Sequence, residues 1–176
     1  MQLNPFEPHN LVFIDTEFTS LDPTKGEILS IGIVKLNGEE LYLELACDAE
    51  PSAWVQTHIL NDLTGPKVSR EEAVKQIRKF IGRKKPFAVA YVDNYDALYN
   101  VKLFGSNDAL PFKWMTIDFA SILFANGIDP TKFQASESSA KSYYRSLGID
   151  LTKYRQHHAL DDARLLRDVW IAVTKI

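Results

Sequence analysis

Cysteine is almost absent. The 176 residues carry one, Cys47, which excludes an internal disulfide and a multi-cysteine zinc site and suits a reducing compartment. Positive charge is not in excess either. Lys and Arg number 20 against 23 Asp and Glu, a net charge of -3, so a polyanionic partner cannot be held by a broadly basic surface and must be gripped locally. Long hydrophobic runs are missing. The apolar stretches fall well short of the roughly 20 residues that span a bilayer. The N-terminus, MQLNPFEPHN, has neither the basic nor the apolar region of a signal peptide. A cytoplasmic protein with no membrane partner is expected. Repeats, low-complexity segments and shifts of composition are lacking too, while the apolar (45%) and charged (24%) fractions are those of a globular chain. The expectation is one domain over residues 1–176, long enough to bury its own core.

The first third of the chain reads as strands. Residues 10–18, NLVFIDTEF, are apolar on both faces apart from their acids, as a central strand covered on both sides should be. Residues 27–36 and 39–47 alternate and are joined through Asn37-Gly38, which predicts a two-residue hairpin turn and a three-stranded meander. The pattern then changes to helices alternating with strands. A short helix is expected near 53–60 and a longer one at 69–82, with Ser69 as cap and Glu72 at the capping-box position. The buried strand PFAVAYV follows, then helices at 94–104, 118–126, 136–147 and 159–173, with a strand at about 113–117 and Asp118 as a helix cap. Antiparallel strands followed by helical crossovers imply an α/β fold. Its mixed sheet has five strands, three antiparallel and then two parallel, with helices on both faces.

Three places put acids where a core is expected. Asp15 and Glu17, at i and i+2 of the first strand, point to the same face with α-carbons roughly 6.6 Å apart, a span able to address two metal ions. As a bare pattern this is weak, since 23 acids in 176 residues give roughly three such pairs by chance. Buried, however, two unpaired carboxylates need cations or take up protons. In HHALDDA, residues 157–163, Asp162 shares a helical stripe with Leu166, Val169 and Val173. Asp161 falls on a more mixed face and is expected to be a charge favoured by the helix N-terminus. After PFAVAYV, Asp96 shares a stripe with Tyr99 and Leu103, and Asp93 and Asn94 suit capping.

FIDTEF with Asp15 and Glu17, YDALY with Asp96, and HHALDDA with His157 and Asp162 resemble, in order and spacing, the three motifs of the DEDDh family of DnaQ-like 3′-to-5′ exonucleases. The resemblance runs from residue 11 to about residue 170. Its most specific part is the His-x4-Asp arrangement, and His158 stands where the tyrosine branch of the superfamily has Tyr. AWVQTHIL, residues 53–60, together with YDALYNVKLFG, is most similar to a compact bacterial and phage branch described as 3′-to-5′ exoribonucleases. Two departures stand out: Tyr91-Val92 replaces the usual His-Asn and Tyr95 the usual Phe of the second motif, and Phe-Thr-Ser-Leu follows Glu17.

The resemblance implies an RNase H-like fold and two Mg2+ or Mn2+ ions held by Asp15, Glu17, Asp96 and Asp162, hard oxygen donors suited to such ions. It implies His157 as the general base that takes a proton from the attacking water. Periodicity alone would pair His158 with Asp162, so His157 serves only if it lies in the loop before the helix. Thr16, Phe18, Leu21, Trp54 and His58 are implied to hold the terminal nucleotides, although Phe18, Leu21, Trp54 and His58 are each also ordinary core candidates. The basic run Arg78, Lys79, Arg83, Lys84 and Lys85 reads as a solvated helix end and is left out of the site.

The implied activity is hydrolysis of single-stranded 3′ ends, RNA in preference, releasing nucleoside 5′-monophosphates. The family also includes homodimers. The same chemistry on DNA, or a catalytically silent nucleotide- or RNA-binding domain on this fold, are the competing readings. Metal-dependent loss of substrate separates an enzyme from a silent domain.

Overall fold

A computed structural model describes residue 7, residues 10–132 and residues 138–174. Strand β1 (Leu11–Phe18) is central, as its two apolar faces require. It pairs antiparallel with β2 (Ile28–Lys35), which pairs antiparallel with β3 (Glu40–Leu45). On the other side β1 pairs parallel with β5 (Phe87–Ala90), and β5 with β6 (Ile117–Asp118). A two-residue strand, β4 (Lys67–Val68), adds parallel to the outer edge of β3, giving the order β4-β3-β2-β1-β5-β6. The sheet therefore has six strands, not five, and the strand expected at 113–117 is confined to Ile117 and Asp118. The mixed α/β architecture stands.

The meander turns differently from its Asn-Gly signal. The Lys35 N–H donates to the Glu39 carbonyl and that of Gly38 to the Lys35 carbonyl, so Leu36-Asn37-Gly38 form a three-residue loop. Gly38 supplies the left-handed residue, at φ +90°, that such a loop requires.

Alternation along β1 distributes its side chains between two cores. Val12 and Ile14 pack with α2 (Arg70–Ile81) and α3 (Asn94–Phe104), through Ala73, Ile77, Tyr99 and Leu103. Leu11 and Phe13 pack on the other face with α4 (Phe119–Ala125), α5 (Ser138–Ser146) and α6 (Ala159–Thr174), where Phe13 meets the Trp170 ring edge-on. The short helix α1 (Ala53–His58) closes a smaller cluster of Leu29, Val55 and Ile59. Helices cover both faces. Ser69 caps α2, accepting from the Glu72 N–H, and Asp118 caps α4, accepting from the Ala120 and Ser121 N–H groups. Asp93 occupies the cap position of α3 but makes no side-chain cap bond. Residues 136 and 137 of the expected fifth helix lie outside the described residues. Among the described residues, no helix is long and apolar enough to cross a membrane.

Candidate metal centre and nucleotide cleft

Parity along β1 decides where its acids go. Asp15 and Glu17 follow Leu11 and Phe13 onto the α6 face, while Thr16 follows Val12 and Ile14 onto the α3 face. Pairing of β1 with β5 ends at Phe13 opposite Val89, so Asp15 stands just past the last paired residue, where the sheet opens. There the first turn of α6 brings in Asp162, and carboxylate oxygens of Asp15, Glu17 and Asp162 lie within 4.8 Å of one another. Asp96, in the first turn of α3, reaches the same end of β1 from the opposite layer. It is buried and accepts a hydrogen bond from Thr16 Oγ1 at 2.7 Å. Three of the four predicted acids thus form a compact triad, with Asp96 beside it.

The approach of α6 depends on a residue the sequence motifs do not include. Gly32 lies opposite Asp15 on β2, and a Cβ there would overlap the Ala159 carbonyl and Leu160 Cα at the start of α6. Only a glycine lets the helix backbone sit directly on the strand. The signal was in the sequence: a lone glycine inside the apolar strand ILSIGIVK marks close approach of another backbone.

Burial pushes every one of these carboxyls upward, and repulsion within the cluster adds to it at Asp15 and Glu17. Desolvation raises Asp15 well above the ordinary range, with the charges of Asp162, Asp96 and Glu17 adding to it. Burial and the same neighbours raise Glu17 to about 8, and burial raises Asp96 and Asp162 to about 7. No lysine or arginine neutralises the triad among the described residues. Such a set is relieved by a cation, and a donor set made wholly of carboxylate oxygens suits a hard divalent one.

The two histidines part company. His157 lies in the turn before α6 at φ 57°, a left-handed conformation unusual for a residue with a side chain, and sits in the cleft with Asp15 and Asp162. Burial and the nearby His58 hold its pKa below the ordinary histidine value. His158 is buried behind it, stacked on Tyr42 at 4.7 Å with Nδ1 3.3 Å from Arg155. Asp161 lies in the first turn of α6 as expected, but it is buried, more so than Asp162, so Asp162 is not the one inward acid of the pair. Against the upward pull of burial, hydrogen bonds from Arg155 Nε and Arg164 Nη1, each 2.6 Å, keep Asp161 below the usual carboxylate range.

The cleft, about 410 Å³, is walled by Trp54, Tyr91, Phe119, Tyr144, Gln156 and the apolar side of α6. Trp54 is 50% exposed, so it is not the core residue its type suggests. The His58 ring stacks on it at 4.6 Å, and His157 meets it edge-on at 5.2 Å. Leu21 is 65% exposed on the loop after β1. Phe18 is half-buried, stacked on Tyr99 at 4.4 Å and next to Tyr95 at 5.7 Å. Phe18 therefore packs on the α3 face, and the Thr16 side chain, two residues before it, does the same. Thr16 is buried and turned to Asp96, because its position on β1 faces α3 and not the cleft. Arg78, Lys79, Arg83, Lys84 and Lys85 are exposed at the end of α2 and in the loop before β5, outside this cleft.

An α/β sheet with acids from both helical layers meeting past its central strand defines a nuclease-like metal centre. The exonuclease family model (RNase_T) matches residues 12–169. The chain belongs to that exonuclease family. It is 27% identical over 172 residues to the PolC-type DNA polymerase III of Thermotoga petrophila, and equally to that of Thermotoga maritima, covering 94% of this chain and 12% of theirs. The chain therefore spans about an eighth of the length of these relatives. Among solved structures, the fold is shared with exonuclease I of Methylocaldum szegediense (TM-score 0.69, 16% identity, 94% of this chain and 40% of that one). It is shared as well with the nuclease domain of 3′hExo, a DEDDh family member bound to rAMP (TM-score 0.69, 13% identity, 94% and 91%).

Proposed function

We propose that the protein is a metal-dependent exonuclease that removes nucleotides from single-stranded 3′ ends and releases nucleoside 5′-monophosphates. The observation that carries this reading is the unneutralised Asp15–Glu17–Asp162 triad, two of whose acids, Asp15 and Asp162, line one cleft with His157 and the exposed Trp54. Two Mg2+ or Mn2+ ions held by Asp15, Glu17, Asp162 and Asp96 would supply charge stabilisation for the phosphate and the departing 3′ oxygen.

The chain's own residues do the rest. The depressed pKa of His157 keeps its imidazole neutral at neutral pH, able to take the proton of the attacking water. It lies in the turn before α6 and lines the cleft with Asp15 and Asp162, and Trp54 meets its ring edge-on. The Trp54–His58 stack and exposed Leu21 offer apolar surfaces for the last base, and base-aromatic stacking tolerates any sequence. Thr16 positions Asp96.

RNA is the substrate we favour, on the likeness of AWVQTHIL and YDALYNVKLFG to the exoribonuclease branch. The names of the Thermotoga relatives, DNA polymerases, favour DNA instead. Matched 5′-labelled single-stranded RNA and DNA, incubated with the protein in Mg2+, Mn2+ or EDTA and resolved on a gel, test both. A ladder shortening from the 3′ end only with metal is the expected result, faster on RNA. Equal or faster loss of DNA would reverse the preference, and no loss of either would reject the activity.

A further inference from the structure

The cleft accounts for the end of a strand but not for the chain that leads to it, and the open edge of the sheet carries features the active centre does not use. Strand β6 is the outermost strand, and its lead-in runs alongside β5: the Lys113 N–H donates to the Pro86 carbonyl, and further on Ile117 pairs with Val89 and Asp118 with Ala90. One end of this edge, at Lys113, is bonded to Pro86, which directly follows Lys84 and Lys85 in the chain. The other reaches the loop before Asp96, where the Asp93 N–H donates to Asp118 Oδ1 at 3.4 Å. The two ends lie against Pro86 and Ala90, four residues apart along the neighbouring chain and so about 13 Å at strand rise, and the segment between them bends at Trp114 and Met115.

Between the ends stands Trp114, which at 77% exposure is the most exposed large apolar side chain among the described residues, and its chain neighbour Met115 is 49% exposed. Lys113 and Trp114 also wall a small cavity of about 30 Å³ together with Asp96 and the buried Asn100, so this edge abuts the metal-centre helix directly. The cations are free. Among the described residues, Lys79, Arg83, Lys84, Lys85 and Lys113 have no carboxylate partner, and the Lys85 ammonium reaches only the Asp108 carbonyl, at 3.5 Å. Unpaired positive charge concentrated at one place on a chain of net charge -3 is where a polyanion would be held. Aspartates 93 and 118 at the site end and Asp108 near the cations are the opposing charges, and Asp118 is committed to capping α4.

We propose that this edge is a docking track for single-stranded nucleic acid upstream of the scissile bond, with Lys84, Lys85 and Lys113 meeting phosphates and Trp114 stacking a base. An exposed aromatic beside unpaired cations is the combination that holds single strands without reading sequence. The proposal rests on the exonuclease reading of the cleft and adds substrate length to it: a dinucleotide fills the cleft alone, whereas a 12-mer also engages the track.

The test compares wild type, the triple variant Lys84→Ala/Lys85→Ala/Lys113→Ala, and Trp114→Ala. Each is assayed for hydrolysis of a dinucleotide and of a single-stranded 12-mer, and for 12-mer binding in EDTA by fluorescence anisotropy. Expected are an unchanged rate on the dinucleotide and a KM and Kd for the 12-mer raised about tenfold in each variant. The slope of log Kd against log salt concentration should also flatten by about 2 in the triple variant, at about 0.7 per lost phosphate contact. Unchanged 12-mer binding in both variants, as a surface built for an acidic protein would give, overturns the track, and so does equal loss on both substrates. A wild type that hydrolyses neither substrate overturns the nuclease reading instead, and the anisotropy arm still decides the track.

Discussion

At the scale of single residues the division of labour between neighbours is sharp. His157→Ala is expected to lower kcat by about 10²- to 10⁴-fold, the range for removing a general base. His158→Ala should leave kcat within a few fold and lower the melting temperature, because His158 packs on Tyr42 and meets Arg155. The reverse pattern in steady-state kinetics and thermal melts would move the base by one position. Periodicity could not make this distinction. It placed His158, not His157, on the same face as Asp162, and only the left-handed turn at His157 aims that ring into the cleft. The adjacent acids show the same limit. Apolar spacing puts only Asp162 on the inward stripe of α6, yet both acids turn from solvent. Arg155 and Arg164 make burial of Asp161 tolerable, and an ion pair of that kind is invisible to a pattern of apolar spacing. Asp15→Asn and Asp162→Asn should each abolish turnover. Both should fold, since each removes repulsion from the triad and little volume, as circular dichroism and melting would show.

At the scale of elements, the carboxylates meet because two backbones touch. Replacing Gly32 by Ala forces the start of α6 away from β2, carrying Asp162 and His157 with it. We expect a stability loss of about 1–3 kcal/mol, typical of overpacking, in urea titration. Activity should fall at least tenfold even where the variant is fully folded. Full activity in Gly32→Ala would show that the approach of α6 is not what sets the site. The elements themselves were largely legible: α3 was placed at its observed bounds, and α2, α4 and α6 within a residue or two, since each carries a cap or a clear stripe. Of the two edge strands, β4 was not legible and β6 only as the end of a longer strand expected at about 113–117. Each has two residues, too few for any alternation to register, and their identity comes from pairing with β3 and β5. The Asn-Gly signal correctly called for a hairpin, but loop length is fixed by the register of Lys35 with Glu39.

At the scale of the whole molecule, four raised carboxyls couple folding to pH and to metal. A group whose pKa rises on folding holds its proton more tightly in the folded state. Its stabilising contribution is therefore complete below the ordinary carboxyl range near 4 and is lost as pH rises through the folded values of about 7 to 8. Metal-free protein should accordingly melt at falling temperature between pH 5 and pH 8.5. Mg2+ or Mn2+ should restore the lost stability at the alkaline end and have little effect at pH 5, where protons compete for the same oxygens. A melting temperature that rises over this interval without metal would mean that the acids are neutralised by something other than protons.

The most direct test of the metal centre is a calorimetric titration of Mn2+ into metal-free protein at pH 7.5, run on wild type and on Asp162→Asn. The account predicts two ions per wild-type chain, with protons released on binding, and loss of at least one ion in the variant. Wild-type protein that takes up no Mn2+, or a variant that binds as wild type does, would contradict it.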